Sequence, residues 1–83
     1  GVLNTPPIIR SGLEVKPEWL EMLQLASNKE LTDKAIADQM NVAEGTVRHY
    51  WKRIQDALGV YPAAGKNLRI HTINLAKEKG LID

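Results

Sequence analysis

Between Leu31 and Val60 the chain carries a pattern that few folds can accommodate. Val47, Trp51, Ile54 and Leu58 recur at i, i+4, i+7 and i+11, one buried stripe of a helix that turns 100° per residue. The spacing predicts a helix from about Glu44 to Leu58, bordered by Tyr50 and Ala57. Gly59 can close it in the left-handed conformation. A shorter helix is expected just upstream, from near Thr32 to Asn41. The Thr32 hydroxyl can accept from an orphan backbone N–H, and Ala35, Ile36, Ala37 and Met40 supply an apolar side. Only the tight turn Val42-Ala43 separates the two helices.

A short helix, a turn and a longer helix form a helix-turn-helix layout. The second helix of such a pair needs an apolar face for the core and a polar face for the DNA major groove. Measured from Val47 at 100° per residue, Arg48, Lys52, Asp56 and His49 fall between about 100° and 200°, opposite the stripe. Arg48 and His49 lie toward the N-terminal end, which usually approaches base edges. Arginine can hold guanine through two hydrogen bonds, and Lys52 and Arg53 suit either that task or a phosphate. The same residues also suit an ordinary solvated face, so this helix alone leaves both readings open.

The flanks supply the remaining elements. Residues 1–16 read as an extended linker or arm, because Pro6-Pro7 blocks helix and Ser11-Gly12 is a further break. Its apolar Ile8, Ile9 and Leu13 allow part of the arm to lie on the domain. A first helix is expected from Pro17, where proline is preorganised for the first helical position, to about Ser27-Asn28-Lys29. A fourth is expected from about Asn67 to Lys79, stopped by Gly80, with Leu81 and Ile82 folding back on its last turn. It carries two stripes: Leu68, Thr72 and Leu75 on one side, and Ile70, Ile73 and Lys77 near the other. No strand and no internal repeat is expected. The fold class is therefore all-α, four helices without a wing, with an N-terminal arm (1–16) and one domain (17–83).

Charge is distributed unevenly. Net charge is only +1. From Gly1 to Glu44 four Lys/Arg face seven Asp/Glu, and from Gly45 to Asp83 seven face three, so positive potential gathers in the C-terminal half. At 83 residues the chain can hold one modest core, and a deep substrate cavity would compete with that core for residues. The absence of cysteine rules out disulfides and thiolate metal sites. No apolar run reaches the roughly 20 residues of a membrane span, and the expected location is cytoplasmic. The opening Gly1-Val2-Leu3, without methionine, suggests a piece of a longer protein.

Several stretches together resemble a family. Leu31-Thr32-Asp33-Lys34-Ala35-Ile36-Ala37, Glu44-Gly45-Thr46-Val47-Arg48 and Ile54-Gln55-Asp56-Ala57-Leu58-Gly59-Val60 look like the LuxR/GerE-type effector domain. Pro17 followed by Glu21-Met22-Leu23, and the closing Ala76-Lys77-Glu78-Lys79-Gly80-Leu81-Ile82, fit the same pattern, so the resemblance covers about residues 15–83. It implies a DNA-binding domain at the C-terminal end of a bacterial two-component response regulator or a ligand-sensing activator. It places Arg48, His49 and Lys52 at the groove-facing positions. Thr46 starts the recognition helix, where it touches phosphate or fixes the turn; in a DNA-binding mechanism Arg53 would join it in setting register on phosphates. The start of the second helix, near Thr32 and Lys34, faces phosphate through its positive end. The last helix is the family's dimer contact, here Ile70, Ile73, Asn74 and Lys77. The competing expectation is that the arm bearing Ile8 and Ile9 covers that face. Some positions depart from the pattern. Ala35 replaces a usual glutamate, Tyr50 a common histidine and Ala43 a serine-type cap. An extra residue sits near Glu30, and the Tyr61–Lys66 loop is long.

Other function classes fare worse. His49 and His71 have no nucleophile or carboxylate at a telling spacing, Ser11 and Ser27 sit in no nucleophile elbow, and the glycines form no phosphate loop. No enzymatic role, cofactor or metal is expected. A helix-turn-helix fold used as a protein-binding module, docking on another regulator or on RNA polymerase, remains the alternative.

Overall fold

The helix boundaries follow the capping chemistry closely. In the computed structural model, which describes residues 8–10, 12–62, 65 and 67–83, α1 runs Pro17–Asn28, α2 Asp33–Met40, α3 Glu44–Leu58 and α4 Leu68–Glu78. Pro17 occupies the first turn of α1, where its missing N–H costs nothing. Thr32 caps α2 by accepting from the Ala35 N–H at 3.3 Å, and Asn41 closes it in the left-handed conformation at φ 59°. Gly59 closes α3 at φ 72°. Asn67 caps α4, its side chain accepting from the N–H groups of Arg69 and Ile70, each at 3.1 Å.

The arm departs from the sequence expectation. Residues 1–16 read as an extended linker with no strand. Instead, Ile8–Arg10 forms β1 and Leu13–Val15 forms β2, an antiparallel hairpin with Ile8 opposite Val15 and Arg10 opposite Leu13. The chain can double back here because Gly12 takes φ +77°, a region costly for other residues. Val15 is completely buried and β2 packs on α3, so the end of the arm belongs to the core. The remaining part of the arm, residues 1–7, lies outside the described residues.

α3 is the centre of the molecule: α1, α2, α4 and β2 all pack against it. Its predicted stripe, Val47, Trp51, Ile54 and Leu58, is buried. Leu23 of α1 and Ile36 of α2 meet it, and Leu81, just past α4, completes the core. The Leu81 N–H donates to the Ala76 carbonyl at 2.9 Å, which folds the C-terminus back over the last turn of α4. Glu30, in the loop between α1 and α2, has φ 52°.

Candidate nucleic-acid interface

Because the stripe of α3 is buried, its opposite face has nowhere to go but solvent. Arg48, His49, Lys52 and Arg53 are all exposed, and Thr46 is half-buried in the first turn. The Thr46 N–H donates to the Ala43 carbonyl at 3.0 Å, closing the turn that leads into α3. Ala43 itself offers no side-chain cap. Arg48 lies 3.6 Å from Glu44, one turn back, with both side chains about half exposed or more. Such an i,i+4 pair contributes a few tenths of a kcal/mol, so it restrains Arg48 weakly.

The basic residues divide between two flanks of one face. At 100° per residue, Arg48 and Lys52 stand about 100° and 140° from Val47, and His49 and Arg53 about 200° and 240°. Arg48 and Lys52 border an open concavity of about 590 Å³ between α3 and the start of α4, with Trp51, Gln55, Asn67, Leu68 and Arg69.

A cluster behind that concavity was not apparent from the sequence. The Arg69 guanidinium donates to Asp33 through both terminal nitrogens, Nη1 to Oδ1 and Nη2 to Oδ2, each at 2.7 Å. The buried Trp51 indole N–H donates to the same Asp33 Oδ1 at 3.1 Å, and the guanidinium lies 4.8 Å from the Trp51 ring centroid. One carboxylate thus joins the first turns of α2 and α4 to the middle of α3. A tryptophan on a buried stripe signals that its N–H needs a partner. Nothing in the sequence says that the partner lies 18 residues earlier.

The four residues expected at a dimer contact also come together. Ile70, Ile73, Asn74 and Lys77 line a groove of about 330 Å³ with Ala26, Ser27 and Glu30 from the end of α1 and the loop that follows. The core side of α4 is set by Thr72 and Ala76, both buried, while Leu68 and Leu75 are half-buried. Ile70 is 57% exposed, so the hairpin does not cover it, and Ile9 of β1 points to solvent as well.

Tyr50 lies beside the buried stripe of α3. Burial, with the nearby charges of Glu18 and Glu21, holds its phenol above the usual value of 10.0. Among the described residues no group of three His, Asp or Glu side chains could hold a metal, and no helix is long and apolar enough to cross a membrane. No family model, no curated protein and no solved structure matches this chain.

Proposed function

We propose that the chain is the DNA-binding effector domain of a transcription regulator, of LuxR/GerE-type helix-turn-helix design, with α3 entering the major groove. The observation that carries this reading is the two-faced character of α3. Its apolar side is buried from Val47 to Leu58, and Arg48, His49, Lys52 and Arg53 all reach solvent from the other side. A helix with its side chains is about 10–12 Å across and the major groove about 12 Å wide, so such a face fits the groove. In this reading Thr46, Arg53 and the start of α2 set the register against phosphates, and Arg48, His49 and Lys52 read base edges.

The groove beside α4 supports a two-fold dimer through Ile70, Ile73, Asn74 and Lys77. An exposed isoleucine bordering a concavity is surface that a second copy can bury. Dimerisation brings two recognition helices to successive major-groove faces, about 10 base pairs apart. The reading implies a cytoplasmic protein. A role as a docking module for RNA polymerase or another regulator draws on the same exposed Ile70 and on the small net charge of +1.

The test is fluorescence anisotropy with a pool of labelled random-sequence duplexes across a salt series. The wild type is expected to bind with an affinity that falls steeply with salt, and the Arg48→Ala/Lys52→Ala pair to bind more weakly with a flatter slope. A wild type that ignores DNA at every salt concentration returns the protein to the docking reading.

A further inference from the structure

The concavity beside Arg48 and Lys52 has a second wall that α3 does not supply. Asn67, Leu68 and Arg69, from the cap and first turn of α4, form it. Of the seven residues lining the space, three are cations, two are side-chain amides and none is acidic. Asp33 and Glu44, the carboxylates paired with two of those cations, do not line it. The charge of the lining therefore suits an anion.

Arg69 differs in kind from the flexible Lys52. Asp33 grips two of its N–H groups and Trp51 supports its plane, so its position is set before any ligand arrives. A guanidinium carries five N–H groups, which leaves three for a further acceptor, and the Arg69 side chain is 46% exposed. A donor held in this way loses little side-chain freedom on binding.

The geometry points to this concavity as the seat of one backbone phosphate of bound DNA, with Arg69 as its fixed donor. The inference rests on the DNA reading of α3. A helix nearly as wide as the major groove brings its flanks against the strands on either side. The Arg48–Lys52 flank is the one that opens onto α4, so a strand meeting that flank meets Arg69 too. Asp33 has two effects: it orients Arg69 and offsets part of its charge.

The experiment is the salt-dependent binding of a labelled random-sequence duplex by wild type, Arg69→Gln and Asp33→Asn, with circular dichroism melts to check folding. Arg69→Gln is expected to weaken binding and flatten the log–log salt slope by about one unit, the loss of one phosphate contact. Asp33→Asn keeps an acceptor for the Trp51 N–H and frees the Arg69 charge, so it is expected to tighten binding severalfold at low salt. If Arg69 is only a structural brace, both variants break the same bridge and both weaken binding with wild-type slopes, which overturns the inference. Wild-type affinity in both variants, alongside a loss in Arg48→Ala/Lys52→Ala, also overturns it and leaves the reading of α3 standing. A wild type that does not bind the duplex removes both. Should Arg69→Gln fail to fold, Asp33→Asn decides the matter, and a folded variant no tighter than wild type overturns the proposal.

Discussion

Ala43 shows how a single side chain limits this fold. It occupies the N-cap of α3 with extended backbone, φ −73° and ψ 151°, and contributes no side-chain hydrogen bond. A serine or aspartate there can accept from one of the orphan N–H groups of the first turn, which is worth about 0.5–2 kcal/mol. Ala43→Ser is therefore expected to raise the melting temperature, by about 4–8 °C per kcal/mol in a domain of this size. A calorimetric melt that does not rise would show that solvent already satisfies that turn. Tyr50 sets a second limit, at alkaline pH. Its phenol is held above its ordinary value in the fold, mainly by burial and further by Glu18 and Glu21. The native state thus favours the neutral form. The stabilisation is complete below the unfolded value near 10 and is lost as pH rises through the folded one. The melting temperature should fall above about pH 10, and Tyr50→Phe should lessen that fall. A wild type and variant with parallel pH profiles would refute the assignment.

Each element was legible to the extent that its signals were local. The four helices were readable because their caps are local chemistry: Pro17, Thr32, Asn41, Gly59 and Asn67 act on neighbours within a few residues. The burial of α3 was readable because a period repeated over about three turns averages out local noise. The hairpin was not. Three-residue strands are too short to show alternation, and Ile8-Ile9 next to Pro6-Pro7 has the composition of an extended arm. The Asp33–Arg69–Trp51 cluster was hidden for a different reason, since its members lie 18 and 36 residues apart and no periodicity links them. For the basic face the residues and their angles about the helix were readable, but the wall that α4 builds beside Arg48 and Lys52 required the packing of α4 on α3. Because α1, α2, α4 and β2 all pack on α3, Ile54, fully buried in its C-terminal half, is a sensitive core position. Ile54→Ala is expected to cost about 2–5 kcal/mol, read as a lower urea midpoint. A shift under about 1 kcal/mol would mean that the core collapses around the vacancy.

At the scale of the whole molecule, two surfaces stand apart. The basic face of α3 and the groove between α4 and the end of α1 use different residues, so the proposed DNA contact and the proposed self-association can be tested separately. Ile70→Asp places a charge on the most exposed apolar residue of α4. In sedimentation at high protein concentration the wild type is expected to dimerise and Ile70→Asp to remain monomeric, with its circular dichroism melt unchanged. A wild type that stays monomeric at every concentration would remove the dimer and leave the hairpin-bearing domain to act alone. Contact between DNA and the solvent face of α3, as proposed, can be read residue by residue in nuclear magnetic resonance. Amide chemical shifts would be followed while a random-sequence duplex is added to the isotope-labelled chain. The largest changes are expected on Thr46, Arg48, His49, Lys52 and Arg53, with smaller ones at the starts of α2 and α4. Changes concentrated on Ala26, Glu30, Ile70 and Ile73, or none at all, would contradict it.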